Sequence, residues 1–284
     1  MSNDDPRTLV STTWLAEHLK DPDLRVLDAS WYMADAGRNA RADYQSAHIP
    51  GARFFDIEDI SDSRSELPHM MPSAEKFMSR MRKMGVGDGH QIVVYDGAGL
   101  FSAARVWWMF RLMGKMDIAV LDGGLPKWQA EGRPSEDMAP IVRDRHMTVT
   151  RQNQMVKDVT QVAAASKLGD YTIVDARSPE RFSGAAPEPR AGLRAGHIPN
   201  SHNVFYRDLL NADGTMKPAD DLRALFTQAG VDLDKPAILT CGSGVTAAIL
   251  ALAMERLGKT DHALYDGSWS EWGMFDDLPL ATGQ

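Results

Sequence analysis

The stretch from residue 238 to residue 248 reads Ile238-Leu239-Thr240-Cys241-Gly242-Ser243-Gly244-Val245-Thr246-Ala247-Ala248. A short apolar run that leads into two glycines predicts a buried strand ending in a tight loop, and the alanine-rich run that follows predicts a helix. Backbone N–H groups of a loop that opens a helix converge on its centre, and together with the helix dipole they favour an anion there. Cys241 is therefore expected to be held partly as the thiolate, which is the nucleophilic form.

Four landmarks of the chain occur twice in the same order, at separations of 144 to 149 positions. The pairs are Val26–Ser30 with Val174–Ser178, Ala47–Gly51 with Gly196–Asn200, Val94–Gly99 with Leu239–Gly244, and Leu121–Trp128 with Tyr265–Trp272. A period this long predicts two tandem domains of one fold. The predicted N-terminal domain spans 1–132 and carries Asp96 where the second copy has its cysteine. A polar, aperiodic linker is predicted over 133–154, and the catalytic domain over 155–284.

Each copy alternates short apolar runs with helical patterns, which predicts an α/β fold with a mostly parallel sheet flanked by helices. The predicted strands are Leu24–Asp28, Gln91–Asp96, Ile118–Leu121, Tyr171–Asp175, Ala237–Thr240 and His262–Tyr265. The predicted helices are Thr12–Leu19, Ser73–Met84, Ser102–Met113, Pro126–Glu131, Asp158–Ser166, Ala219–Gly230 and Val245–Leu257. Sites in such sheets form at the carboxyl ends of the strands, where Cys241 lies.

Composition excludes several classes of protein. The formal net charge of −8 over 284 residues argues against a nucleic-acid partner. The longest small-apolar run, Ala247–Met254, is far shorter than the ~20 residues that cross a bilayer, so no membrane partner is expected. The acidic start of the chain resembles no targeting peptide. Because Cys241 is the one cysteine, neither an internal disulfide nor a multi-thiolate metal site can form, and a reducing, cytoplasmic location is expected.

The chain resembles the tandem-domain rhodaneses over nearly its whole length. The features that carry this resemblance are the duplicated domains, the His-Ile-Pro turns, the Asp-Gly-Gly/Ser…Trp segments and the Cys241 loop. The resemblance implies a sulfurtransferase without a cofactor, in which Cys241 carries sulfur as a persulfide. Thiosulfate-specific members typically have basic residues directly after the cysteine, whereas this chain has Gly242 and Ser243. A neutral loop suits a monoanionic carboxylate better than the thiosulfate dianion, so 3-mercaptopyruvate is the expected donor and thiosulfate the alternative.

The resemblance also implies a set of site residues. Two arginines of the family hold the carboxylate and keto oxygen of mercaptopyruvate, and by position they are Arg181 and Arg190, while Arg177, Arg194 and Arg207 are alternates without the family match. A loop serine, a histidine and an acid form a polar relay; Ser243 and His69 match the first two, and the acid falls at Glu58, with Asp59 or Asp62 as alternatives. The loop that binds substrate comprises Gly242, Gly244, Val245 and Thr246. His48 and His197 occur in both copies and are expected to be structural.

The expected reaction releases pyruvate from 3-mercaptopyruvate and passes the sulfur to cyanide, a small thiol or reduced thioredoxin. Three other functions are alternatives to this reaction. Thiosulfate:cyanide sulfur transfer is the first. A cysteine phosphatase would need an arginine six residues after the cysteine, where this chain has Ala247. A silent binding module is the third, because the first copy shows that the fold tolerates loss of the cysteine.

Overall fold

Two five-stranded parallel sheets organise the chain in the computed structural model, which describes residues 4–283. The first sheet has the order β1-β5-β4-β2-β3, with β1 Leu9–Val10, β2 Leu24–Asp28, β3 Arg53–Phe54, β4 Gln91–Tyr95 and β5 Ile118–Leu121. The second has the order β6-β10-β9-β7-β8, with β6 Val156–Lys157, β7 Thr172–Asp175, β8 Ser201–Asn203, β9 Ala237–Thr240 and β10 His262–Tyr265. The identical order confirms the α/β fold class and shows that the repeat is one fold built twice.

Helices flank both sheets. Those of the first half are α1 Thr12–His18, α2 Ala40–Ser46, α3 Ile57–Ile60, α4 Ala74–Lys83, α5 Ala103–Leu112 and α6 Gly124–Ala130. Those of the second half are α7 Val159–Leu168, α8 Pro179–Ser183, α9 Ala219–Gln228, α10 Ala247–Arg256 and α11 Ser268–Trp272. Short 3-10 turns occur at Ala34–Ala36, Asn153–Met155 and Tyr206–Leu209.

The helices α5 and α10 follow the central strands β4 and β9 and lie almost wholly in the core. Every residue of α5 except Arg111 is buried, and so are the first eight residues of α10. A helix buried all round needs apolar residues on every side, which explains why neither segment shows a strongly amphipathic pattern. Among residues 4–283, no helix is long and apolar enough to cross a membrane.

The described residues divide into two compact units that are not contiguous in sequence. The first comprises 4–63, 71–152 and 211–216, and the second comprises 64–70, 153–210 and 217–283. Most of the segment predicted as a linker, 133–152, is thus part of the first unit. The short segment 64–70 belongs to the second unit, and the equally short segment 211–216 belongs to the first.

Residues 136–152, here called the strap, are attached along the first unit by main-chain hydrogen bonds. Glu136 exchanges two of them with His48, and Gln152 N donates to the carbonyl of Leu112 at 2.7 Å. The strap passes so close to the underlying turns that two positions there must be glycine. A Cβ at Gly87 would lie 2.5 Å from the carbonyl oxygen of His146, and one at Gly114 would lie 2.7 Å from that of Thr150.

Candidate active site

Cys241 directly follows β9, the middle strand of the second sheet, and so lies at the carboxyl edge of that sheet. Its side chain is buried. The start of α11 holds the loop in place. Trp269 N donates to the carbonyl of Cys241 at 3.0 Å, and the amide and hydroxyl of Ser270 both donate to the carbonyl of Gly242, at 2.8 and 2.6 Å. The hydrogen bonds from α11 therefore fix the backbone that carries the cysteine.

The corresponding loop of the first unit shows what such a loop does to the side chain at its centre. Asp96, fully buried, accepts hydrogen bonds from the backbone amides of Ala98 at 2.9 Å, Phe101 at 2.7 Å and Ala103 at 2.9 Å. Three converging N–H groups form an anion-binding concavity, and here a carboxylate of the chain itself occupies it. The loop geometry thus favours a negative charge at this position of the fold.

The repeat identifies the corresponding positions of the second unit. The amides that correspond to those around Asp96 belong to Ser243, Thr246 and Ala248. Gly244 has a φ of 77°, in the left-handed region that favours glycine, and this conformation lets the loop turn into α10. We infer that the Cys241 sulfur lies where amides stabilise a thiolate or a persulfide anion.

The predicted contact between His69 and Ser243 is present within the second unit. The Nδ1 atom of His69 lies 3.1 Å from Ser243 Oγ, and both residues are buried. His69 belongs to the segment 64–70 and has a φ of 60°, which non-glycine residues rarely adopt. A strained backbone that aims an imidazole at a loop hydroxyl two residues from the cysteine fits a functional role for this histidine.

Glu58, the acid predicted to complete the relay, lies in the first turn of α3 in the first unit. Its side chain is exposed and accepts a hydrogen bond from Trp31 Nε1 at 2.8 Å. The neighbouring alternative, Asp59, pairs with Arg80, and its Oδ2 lies 2.7 Å from Nε of that arginine. The role of Glu58 in a relay stays a prediction.

Arg181 lies over the Cys241 loop. A Cβ added to Gly242 would be 3.0 Å from Nη2 of Arg181, so the glycine leaves room for the guanidinium beside the cysteine. The side chain of Arg181 is 24% exposed, which leaves it able to meet a ligand. Arg190 is half-buried and lies nine residues further along the chain, after the end of α8. A neutral loop with a guanidinium above it is suited to a carboxylate substrate.

Glu188 fixes the orientation of Arg181 and was not predicted from the sequence. Its side chain is 2% exposed and forms salt bridges with both Arg181 and Arg177, with 2.7 Å between Oε1 and Nη1 of Arg177. Glu188 lies between two prolines, a pattern typical of a surface loop, so its sequence gives no sign of burial. The close spacing of three arginines and two glutamates over 177–190 was the one available signal.

Arg177 is the buried arginine of the ion-pair network that also includes Asp175, Glu188 and Arg181. It donates to both oxygens of Asp175 and to the carbonyl of Gly196, and its guanidinium stacks on Trp269 at 4.3 Å. Burial alone would lower the pKa of Arg177, but Asp175 and Glu188 outweigh burial and raise it. A fully buried, fully paired arginine is structural.

The other alternates and the paired histidines also have structural contacts. Arg194 donates to the carbonyls of Leu278 and Trp272, and Arg207 donates to the hydroxyl of Tyr206. His48 and His197 each hydrogen-bond a nearby carbonyl through Nδ1, at 2.7 and 2.8 Å, and each stacks on an aromatic ring. The two histidines hold equivalent turns, as their symmetry in the sequence predicts.

Comparison with known proteins identifies the class. The model of the rhodanese-like domain matches residues 11–131 and 158–274. A relative in Escherichia coli K12, named 3-mercaptopyruvate sulfurtransferase, is 44% identical over 95% of this chain and 96% of its own length. One in Arabidopsis thaliana, named thiosulfate/3-mercaptopyruvate sulfurtransferase 1, mitochondrial, is 44% identical over 96% of this chain and 78% of its own.

A solved structure agrees with the sequence relatives. The crystal structure of SseA from Escherichia coli, a 3-mercaptopyruvate sulfotransferase, superposes with a TM-score of 0.85 at 42% identity and covers 93% of this chain and 99% of that one. The chain therefore belongs to the rhodanese family and contains two rhodanese-like domains.

Proposed function

We propose that this chain is a 3-mercaptopyruvate sulfurtransferase. The observation that carries the proposal is the guanidinium of Arg181 above the neutral Gly242, next to a cysteine in a loop of amides. The names and near-complete coverage of its relatives support the same donor. We expect Arg181 and Arg190 to bind the carboxylate and the keto oxygen, and Gly242, Gly244, Val245 and Thr246 to contribute the loop that surrounds the transferred sulfur.

In the first half-reaction the Cys241 thiolate attacks the sulfur of 3-mercaptopyruvate. An S–S bond forms, the C–S bond breaks, and its electron pair leaves on pyruvate as the enolate. The proton of the substrate thiol ends on the methyl carbon of pyruvate, and we expect His69 with Ser243, whose Nδ1 and Oγ atoms lie 3.1 Å apart, to move it. The loop amides stabilise the anionic sulfur, and the arginines stabilise the enolate oxygen.

In the second half-reaction an acceptor nucleophile attacks the outer sulfur of the persulfide and regenerates the Cys241 thiolate. Cyanide, a small thiol or a reduced thioredoxin would each serve, because each presents a soft nucleophile. The catalytic sulfur must stay reduced between turnovers, so we propose a reducing compartment such as the cytoplasm.

Thiosulfate is the weaker candidate as donor. A basic residue after the cysteine would favour this dianion, but a Cβ at position 242 would lie 3.0 Å from Nη2 of Arg181, so a side chain there would require the guanidinium to shift. In the site as built, the positive charge near the cysteine is supplied by Arg181 from outside the loop. This geometry favours a substrate that is recognised through a planar carboxylate.

The test compares two reactions on one protein sample. Pyruvate release from 3-mercaptopyruvate should exceed thiocyanate formation from thiosulfate and cyanide. Cys241→Ser should abolish both, and intact mass after donor treatment should show one added sulfur on the wild type and none on the variant. Unchanged unfolding midpoints would establish that the variant is folded. Turnover by Cys241→Ser, or a clear preference for thiosulfate, would contradict the proposal.

A further inference from the structure

Four arginines line a cavity in the first unit. Arg25 lies near the start of β2 and Arg53 begins the adjacent strand β3, while Arg143 and Arg145 come from the strap. Gly85 and Ile141 complete the lining, and the cavity has a volume of about 240 Å³. A Cβ at Gly85 would lie 2.9 Å from the carbonyl of Arg143, so this glycine lets the strap approach closely enough to bring in its two arginines.

The positive charge of this cavity is not neutralised by the protein. Within residues 4–283, none of the four arginines forms a salt bridge with a carboxylate. Arg25 donates to the carbonyls of residues 22, 24 and 85, Arg53 to that of residue 51, and Arg145 to that of residue 144. The Nε atom of Arg53 is buried and has no hydrogen-bond partner among the described residues.

The nearby carboxylates do not change this conclusion. Asp144, between the two strap arginines, pairs instead with Arg82, with 3.3 Å between Oδ2 and Nε. Asp23 is exposed and opposes only in part the effects that lower the pKa of Arg25, namely burial and the charge of Arg145. The pKa of the buried His90 is lowered to about 4, first by burial and then by Arg25 and Arg145. An imidazole beside the cavity thus experiences the same positive potential.

We propose that this cavity is a binding site for a diphosphate group, either inorganic pyrophosphate or the diphosphate of a nucleotide. Planar guanidinium forks match phosphoryl oxygens and bind them bidentately. At about 30 Å³ for each water, the cavity has room for roughly eight waters, which is more than one tetrahedral oxyanion needs. Four guanidinium groups balance the three to four charges of a diphosphate better than the two of a sulfate.

The site is independent of the sulfur-transfer reaction proposed above, since its residues lie in the first unit and include none of the cysteine loop. Holding four like charges close together without an anion disfavours the folded state. A bound diphosphate removes that repulsion and joins the strap to β2 and β3. The ligand should therefore stabilise the first unit, by an amount that rises with the logarithm of its concentration above the dissociation constant.

The experiment is isothermal titration with inorganic pyrophosphate at constant ionic strength, on the full chain and on Arg143→Ala/Arg145→Ala. Both arginines are exposed, so their removal should leave the fold and the sulfur-transfer rate within about two-fold of the wild type. Arg151→Ala/Arg223→Ala is the matched control, because it removes the same charge from exposed positions outside the cavity. We expect at least ten-fold weaker binding for the cavity variant and less than a two-fold change for the control.

Further titrations separate the source of the group and the location of the site. ADP that binds as well as pyrophosphate would indicate a nucleotide, and ADP that binds much more weakly would indicate the inorganic anion. Cys241→Ser should bind pyrophosphate as the wild type does, because the thiolate takes no part in this site. Absence of saturable binding, equal loss of affinity in the two arginine pairs, or phosphate and sulfate binding as tightly as pyrophosphate would each overturn the proposal.

Discussion

At the scale of single residues, the candidate site depends on the carboxylate of Glu188, which acts through Arg181 and need not contact the substrate. Glu188 bridges the buried Arg177 and the partly open Arg181, and Nη2 of Arg181 is both its partner and the atom nearest Gly242. A long, flexible arginine gains precision when a buried partner removes most of its rotamer freedom. We therefore regard Glu188 as a positioning residue for Arg181.

Glu188→Gln is expected to loosen Arg181 while keeping the size of the side chain. The effect should appear mainly as a higher KM for 3-mercaptopyruvate, with kcat/KM reduced about 10-fold, or ~1.4 kcal/mol of transition-state binding. The variant should also be less stable by about 1.5–3 kcal/mol, because Arg177 loses one of its two charged partners in a buried setting. Steady-state kinetics and urea unfolding measure the two effects.

The matched control for that experiment is Glu180→Gln, an exposed position in the same segment. It should change neither kcat/KM nor the unfolding midpoint appreciably. Glu188→Asp, which keeps the charge, should recover part of the KM. A value of kcat/KM within two-fold of the wild type in Glu188→Gln would show that Arg181 is held by other groups or is not used.

The sequence identifies some of these residues and not others for a physical reason. Cys241 and Ser243 lie in one short loop whose glycines and neighbours already define its chemistry. His69 was found through resemblance to a family, since nothing in its own loop predicts that it would meet Ser243. Glu188 was missed because its partners approach it through tertiary packing, and a glutamate between prolines resembles a solvated loop charge until its burial is known.

At the scale of elements, the central strands are the best predicted. Ile118–Leu121, Ala237–Thr240 and His262–Tyr265 have the predicted limits, because strands buried on both faces are continuous apolar runs between polar residues. Helix ends differ by at most two residues, as caps and final turns usually do. The edge strands Leu9–Val10, Arg53–Phe54, Val156–Lys157 and Ser201–Asn203 were not predicted, since they are defined by pairing with a neighbouring strand rather than by a local pattern.

Glu131, directly after α6, connects three elements of the first unit. It accepts a hydrogen bond from Thr12 of α1 at 2.6 Å and from Arg133 at 2.6 Å, and it pairs with Lys127 of α6. Burial would raise the pKa of Glu131, but these three partners together outweigh it and lower the pKa to about 2. The carboxylate form is therefore favoured by folding.

The sign of the pH dependence follows from that lowered pKa. A carboxylate with a pKa of about 2 in the folded chain and 4.5 as its ordinary value contributes stability above pH 4.5, and this stability is lost as the pH falls towards 2. Glu131→Gln should lower the free energy of unfolding at pH 7 and should flatten its fall between pH 5 and 3. Urea unfolding across that range measures both, with the exposed Glu17→Gln as control. Parallel pH profiles for the wild type and Glu131→Gln would contradict this assignment.

At the scale of the whole molecule, the duplication extends to two short arms that sequence analysis does not reveal. The arm 64–70 belongs to the second unit, where His69 reaches Ser243, and the arm 211–216 belongs to the first, where Met216 N donates to Asp122 at 2.8 Å. His69 and Met216 are 147 positions apart, which is the spacing of the repeat. Loops without apolar periodicity give no sequence signal of which unit they join, so a division at one linker cannot anticipate them.

The last prediction concerns the silent loop of the first unit. Its centre is occupied by the Asp96 carboxylate and its three amide donors, and Tyr32 fills the space above Gly97. The arm 211–216 lies against it as well, since a Cβ at Gly99 would be 3.5 Å from Cα of Gly214. A thiol introduced by Asp96→Cys would therefore be buried under an aromatic side chain, without the room that Gly242 provides beneath Arg181.

Asp96→Cys should consequently gain no second reactive sulfur. Intact mass after treatment with 3-mercaptopyruvate should show one added sulfur per chain, as in the wild type, and one added label after brief alkylation of the native protein. The variant should be less stable by about 3 kcal/mol, because buried amides lose a charged acceptor, whereas Asp96→Asn, which keeps an acceptor oxygen, should lose less. Sulfur loading on both cysteines would contradict this account, since it would mean that the first loop differs from the second by its nucleophile alone and not by the side chains that close it.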